Sequence, residues 1–256
     1  MPHTPTTRKP ARRLTANPAP SPAKEQRLEV LRETIIICRK CPRLVEYRER
    51  VARTKRRAYL DWTYWGRPVP GFGDSNAQLM LIGLAPGAHG SNRTGRMFTG
   101  DASGVFLYAQ LYRAGFANQP TGTRADDGLT LHNAYITAAV RCAPPDNKPL
   151  PGEMQNCAPY LDEEIDLIQP RAVLALGSIA FDTYLRHLLR RGQISTRAPY
   201  RFAHGAEFEL PNGLPHLFAA YHPSQQNTQT GRLTPEMFYT VLRRINQFLK
   251  TSNRAK

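Results

Sequence analysis

The sequence predicts a single-domain, three-layer α/β/α fold around a central, mostly parallel four-stranded sheet, with additional helices at the N-terminus. Three observations predict it. Four short apolar runs, at 79–82, 134–140, 172–176 and 217–221, have the length and composition of buried parallel strands. Each is followed by a stretch whose apolar residues recur at helical spacing, and strands alternating with helices imply a sheet covered on both faces. A chain of 256 residues is long enough for one substantial core with extensions.

Taken in order, residues 1–24 hold six prolines and five basic residues without one acid. Such a segment buries too little apolar surface to order itself, so a disordered basic tail is expected, with the folded domain spanning 25–256. It has no apolar core of a secretory signal. Leu28, Leu31, Ile35 and Ile36 give a first helix ending at Cys38-Arg39-Lys40-Cys41-Pro42. A second helix, from Arg43 to Arg57, carries seven basic residues; it is either a solvated face or a contact to backbone phosphates. The turn-rich WTYWGRPVPGFGD packs over the core. The strand Leu79–Ile82 then runs into GLAPGAHGSNRTGRMFTGDASG, residues 83–104, and from there into a helix.

That glycine-rich loop is the organising stretch. Between a strand end and a helix start it stands where α/β folds bind ligands, and its small residues let backbone approach them. It lacks the endings of the common nucleotide-binding loops. After a polar loop at 118–128, the second strand ends in Arg141-Cys142-Ala143-Pro144-Pro145. A helix over 151–168 contains Cys157; the third strand passes through Gly177-Ser178 into a helix to Arg190. A hairpin-like stretch at 201–210 precedes the fourth strand, which runs into His222-Pro223-Ser224. The last helix, 233–249, has Thr234 as N-cap and Pro235 at its first position.

The chain has 35 Lys and Arg against 20 Asp and Glu, a formal net charge of +15. That excess attracts polyanions, nucleic acid first among them, or serves solubility alone. No apolar run is long enough to span a membrane, so a soluble, cytoplasmic protein is expected. Cys38, Cys41, Cys142 and Cys157 leave no odd cysteine, and in a chain with no secretory signal disulfides are disfavoured. Four thiolates suit a structural Zn²⁺ or an iron–sulfur cluster by count. The wide second spacing, with one ligand inside a helix, tilts the reading to a structural [4Fe–4S] cluster.

Together, GLAPGAHGSNRTGRMFTGDASG, HPSQQNTQTGRLTPEM and the cysteine frame around VRCAPPDNKP resemble the uracil-DNA glycosylase superfamily, and within it family 5, the iron–sulfur type B. The resemblance covers residues 38–248. It implies hydrolysis of the N-glycosidic bond of uracil, and of other deaminated bases such as hypoxanthine, in double-stranded DNA. The target base is flipped into a pocket, leaving an abasic site. It further implies a monomeric, bacterial, nucleoid-associated enzyme needing no dissociable metal.

Carried over residue by residue, His222 resembles the donor to the leaving base, and Phe98 the ring on which that base stacks; its plainer reading is a core phenylalanine. Gly83, Leu84, Ala85, Pro86 and Gly87 approach base and sugar through backbone. Arg93, Ser224, Gln225, Gln226, Asn227 and Arg232 fall to DNA contact, with Leu233 the candidate wedge or, alternatively, a packed residue at the helix start. Other branches carry a water-positioning side chain where this chain has Ala85, so that role passes to Asn92 first and Asp101 second, Asp101 competing with an N-cap role. Ala138 stands where related iron–sulfur glycosylases carry a uracil-pairing Asn, leaving base recognition to backbone and to Asn133 or His132. The expected substrate range is therefore broad. A non-catalytic iron–sulfur or zinc DNA-binding module is the alternative, but it leaves His222 and the glycine loop unexplained.

Overall fold

The structure, a computed structural model, describes residues 21–251. The expected tail falls mostly outside these residues. Its last part does not: helix α1 runs Pro22–Ile36, because Ser21 accepts a capping bond from Lys24 N–H and Pro22 supplies a preset first-turn φ. Helix α2 (Pro42–Thr54) follows, then β1 (Phe72–Gly73), β2 (Leu79–Gly83), the single turn α3 (Ser91–Thr94), α4 (Ala102–Arg113), β3 (Ala134–Ala138), α5 (Pro151–Ile168) and β4 (Ala172–Leu176). The chain continues through α6 (Ser178–Arg190), β5 (Glu207–Phe208), β6 (His216–Ala220), α7 (Gln225–Gln229) and α8 (Pro235–Thr251).

The sheet has six strands in the order β1-β3-β2-β4-β6-β5. The four expected strands form its parallel centre, and the two-residue strands β1 and β5 add antiparallel edges. Period-two alternation splits β2 between two cores. Leu79 and Leu81 face the layer of α4 and α8, with Leu107, Leu111, Phe238 and Leu242. Met80 and Ile82 face the layer of α5 and α6, with Leu161, Ile165, Phe181 and Leu185. Helix α1 packs outside α5 through Leu31, Ile35, Tyr160 and Leu167.

Chain order sends β2 to β3 on one side and β4 to β6 on the other, so the loops after β2 and β4 diverge. Crevices at such a reversal, beyond the carboxyl ends of the strands, are where open α/β sheets hold ligands. The end of β3 is fixed by Glu164 of α5, which is buried. It accepts from Tyr135 Oη at 3.2 Å, Arg141 Nη2 at 2.6 Å and Gly71 N–H at 3.2 Å, and meets the Thr137 hydroxyl.

Candidate active site

A cleft of about 740 Å³ opens at the carboxyl ends of the parallel strands. From the expected set it is lined by Leu84, Ala85, Gly87, Phe98, Asp101, Ala138, His222, Ser224, Gln225 and Gln226. Gly83 and Pro86 stand behind it. The carbonyls of Gly83 and Leu84 accept from Ala139 N–H (3.0 Å) and Val140 N–H (2.9 Å), which fixes this backbone to the extension of β3.

Phe98 holds a left-handed backbone, φ 50°, a conformation that costs a non-glycine residue energy and persists only where its surroundings impose it. They do so here. Tyr108 Oη donates to Met97 O at 2.6 Å, and Gly104 of α4 packs so tightly that a Cβ would stand 1.8 Å from Phe98 O. Its ring lies against that of His222. Asn227 Nδ2 donates to His222 O at 2.8 Å and so fixes the loop after β6. Burial pushes the His222 pKa down to about 4, so the imidazole is neutral at physiological pH and offers an N–H donor without a charge.

Asp101 has two relationships. Its Oδ1 accepts from Gly104 N–H at 2.9 Å as the N-cap of α4, while Oδ2 lies over Gly87 and Gly90, where a Cβ would come within 2.9 and 1.9 Å of it. Burial raises its pKa, opposed by the capping bonds. The cap and the cleft thus share one carboxyl group. Asn92, the first choice for positioning water, is elsewhere. It is wholly buried under the loop, and its Nδ2 donates to Arg48 O at 3.2 Å and Ala88 O at 3.4 Å.

Three further expectations are corrected by burial or position. Arg93 is not free for DNA: its guanidinium is stacked 3.9 Å from both the Tyr59 and Trp62 rings and donates to His89 O (2.7 Å) and Gly100 O (2.6 Å), bracing the loop from within. Leu233 is 1% exposed and packs in the core with α8, because its N–H is tied back to Asn227 O at 2.9 Å; it is no wedge. Asn133 precedes β3 and its Oδ1 accepts from Gln78 N–H at 2.8 Å. With the adjacent His132 it stands at the opposite edge of the sheet from Ala138, five residues or roughly 16 Å along the strand, out of reach of a base in the cleft. Arg232 is exposed, with its guanidinium 4.7 Å from the centre of the Tyr221 ring.

Unanticipated residues also line the cleft, among them Arg56, Tyr59, His89, Asp146 and Asn147. Asp146 and Asn147 have φ of 54° and 56°. Adjacent Asp and Asn after paired prolines are a readable signal for that conformation.

The four cysteines line a second, small cavity between α2, the loop after β3 and α5. Arg48 is 2% exposed and donates through Nη1 to Cys142 Sγ at 2.9 Å. Asn156 Nδ2 donates to Cys41 Sγ at 3.4 Å, and the Arg141 backbone N–H reaches Cys157. Burial pushes the Cys142 thiol up to about 12 and raises that of Cys157. Among the described residues, Arg48 Nε and two nitrogens of Arg141, a residue lining the cavity, have no hydrogen-bond partner. Two buried guanidinium groups beside four sulfurs fit an anionic thiolate-bound group there. Neutral thiols would leave Arg48 with only Glu49, 3.9 Å away, for compensation. Among the described residues, no three His, Cys, Asp or Glu side chains are gathered tightly enough to hold a single ion.

A glycine loop, a neutral histidine and a stacked aromatic at the carboxyl ends of a 2-1-3-4 parallel sheet define a class. The chain belongs to the uracil DNA glycosylase superfamily, whose family model matches residues 70–246. Within that class it is similar to type-5 uracil-DNA glycosylases. It is 53% identical to that of Thermus thermophilus over 215 residues, covering 84% of this chain and 94% of the relative. It is 52% identical to that of Mycobacterium tuberculosis over 215 residues, 83% of this chain and 78% of the relative. The type-5 enzyme of Pyrobaculum aerophilum is 48% identical over 211 residues, 82% and 88% of the two chains. The family-5 resemblance read from the motifs is borne out.

Proposed function

We propose that this protein is a monofunctional uracil-DNA glycosylase that flips uracil out of double-stranded DNA into the cleft and hydrolyses its N-glycosidic bond. The neutral His222 set against Phe98 carries this reading. As the C1′–N bond breaks, its electron pair goes to the base, which leaves as an anion, and the sugar gains oxocarbenium character. A neutral imidazole N–H aimed at a base oxygen strengthens its hydrogen bond as that charge develops, which is transition-state stabilisation. Phe98 stacks the flipped base. Asp101, through the oxygen it does not commit to capping, orients the water that adds to C1′ and takes up its proton. Ser224, Gln225 and Gln226 face the DNA beside the lesion.

Ala138 offers no hydrogen bond to a base edge. The pocket therefore reads shape and backbone more than a donor–acceptor code, and hypoxanthine falls within its range. Cys38, Cys41, Cys142 and Cys157 hold a [4Fe–4S] cluster, which supplies a structural link between α2, the loop after β3 and α5. Four sulfurs spread around a cavity suit such a polynuclear group better than one zinc ion, whose short bonds bring its ligands together. We take the expected domain, 25–256, as one unit whose start α1 moves back to Pro22 and whose last five residues lie outside those described, acting as a monomer on intracellular, nucleoid DNA. No dissociable metal is needed for hydrolysis by a donor and a positioned water.

The test is strand scission of end-labelled duplexes holding one U·G or one hypoxanthine·T pair, with EDTA present and alkali added afterwards. Alkali-dependent cleavage at the lesion, weakened in His222→Ala, is the expected result. Binding without an abasic product would replace this reading by the non-catalytic module, and activity on uracil alone would sink the broad range.

A further inference from the structure

The cleft contains a second imidazole. His89 lines it together with Arg56 and Tyr59, and its ring makes no contact with the Phe98–His222 pair among the ring contacts of the described residues. Its position is fixed at both ends. Arg93 Nε donates to its carbonyl at 2.7 Å, and Tyr64 Oη lies 3.0 Å from its Nδ1.

The direction of that second bond follows from Tyr64, which is buried. A phenol O–H is a stronger hydrogen-bond donor than a neutral imidazole N–H, so the hydroxyl donates to His89 Nδ1. Nδ1 is then the acceptor, and the ring proton resides on Nε2. Burial holds its pKa below the usual histidine value, and the cationic Arg56 and then Arg93 lower it further, whereas burial alone acts on His222. Arg56 is exposed and enters no ion pair among the described residues. A neutral donor beside an uncommitted guanidinium is chemistry for an anion. On a DNA substrate the anions are phosphates.

We propose that His89 and Arg56 form a phosphate subsite of the cleft, in which Tyr64 is the positioning residue that commits His89 Nε2–H to a phosphate oxygen flanking the extruded nucleotide. The subsite rests on the glycosylase reading for its ligand. Its energetic role is to hold the backbone of the flipped nucleotide, so it acts on substrate affinity and not on bond cleavage.

The experiment pairs protein variants with duplexes carrying a single neutral methylphosphonate, moved one position at a time along the phosphates around the uracil. Parent, His89→Ala, His89→Gln and Tyr64→Phe are compared by kcat, KM and equilibrium binding. On unmodified DNA, His89→Ala is expected to raise KM about ten- to a hundredfold, the range of a lost hydrogen bond to a charged group, with kcat within about twofold. His89→Gln, which keeps a donor at comparable reach, recovers most of the loss. Tyr64→Phe raises KM by several-fold.

At one methylphosphonate position the parent weakens while His89→Ala and Tyr64→Phe weaken no further; packing damage alone would not follow that position. Arg56→Ala should reduce the slope of log affinity against log salt by about one unit. Losses that add at every methylphosphonate position, or a fall in kcat at unchanged KM, would overturn the subsite. A parent that binds these duplexes but makes no abasic product would refute the glycosylase reading, while the positional pattern in binding would still decide the subsite. Inorganic phosphate competing at micromolar concentration against the parent, with methylphosphonates silent, would also overturn the assignment to the DNA backbone.

Discussion

The rings of Phe98 and His222 stand 5.7 Å apart, centroid to centroid, with their planes inclined by 32°. Two glycines make this possible. At the end of β2, a Cβ on Gly83 would stand 3.0 Å from the Phe98 ring. After β4, Gly177 with φ 96° passes His222 Cβ at a distance of 3.3 Å from where its own Cβ would be. The pair thus spans the end of β4, and a side chain at either glycine would press on its neighbour by a few tenths of an ångström.

His222→Ala should lower kcat by about a hundred- to a thousandfold, the cost of one donor to a developing oxyanion. The folded state holds the His222 pKa at about 4, below its ordinary 6.5. The donor role proposed for it is therefore independent of pH above about 5 and is altered only as pH falls through about 4. Between these two pKa values the unfolded chain binds a proton that the folded chain does not, so stability falls as pH drops through that window. Urea denaturation at pH 7.5 and 4.5 should show a smaller acid loss for His222→Ala than for the parent.

Asp101→Asn keeps an oxygen for the Gly104 N–H, so the helix cap survives and Tm should hold within a few degrees. Single-turnover excision should nevertheless fall about a hundredfold, because an amide is a poor acceptor for the water's proton. Asn92→Ala should do the reverse, costing about 1 kcal/mol of stability with excision by the folded protein retained.

Gly104→Ala should be among the most damaging single substitutions, since its Cβ would collide with a backbone oxygen. A loss of about 3 kcal/mol or more is expected in thermal or urea unfolding. Gly152→Ala is the control: nothing among the described residues lies within 4 Å of its Cβ position in α5, and a helical alanine there should gain up to about 1 kcal/mol.

Protein purified without oxygen should contain about four iron atoms per chain and the broad visible absorbance of a cluster. Cys142→Ala should lose both, and Arg48→Met should lose iron faster on exposure to air. EDTA added to the assay should leave excision unchanged. Iron-free protein with one tightly held zinc per chain would refute the cluster.

What was legible in the sequence had local signals. The four central strands are continuous apolar runs, and Phe98, Asp101, Ala138 and His222 lie at strand ends or in the loops after them, so the parallel topology alone gathers them. The edge strands Phe72–Gly73 and Glu207–Phe208 are too short for any periodicity to mark. The errors at Asn92 and Arg93 share a cause. Whether a polar side chain reaches the cleft depends on what covers it, and their partners, Arg48, Tyr59 and Trp62, lie 31 or more positions upstream. Leu233 follows its alternative reading, a packed residue at the helix start, since an apolar residue beside a motif reads equally as wedge or core.

The partners of α2 have a consequence for how the molecule is made. Arg43 is bound by Glu153, 110 positions later in the chain, and Arg48 by Cys142, 94 positions later. Helix α1 likewise rests on Tyr160 and Leu167 of α5. A growing polypeptide therefore exposes α1 and α2 long before the surfaces that receive them exist. Helices α1 and α2 are thus secured only once α5 has been made. A ribosome stalled before residue 153 would carry a basic, half-apolar arm with nowhere to dock, open to chaperones and proteases until α5 emerges.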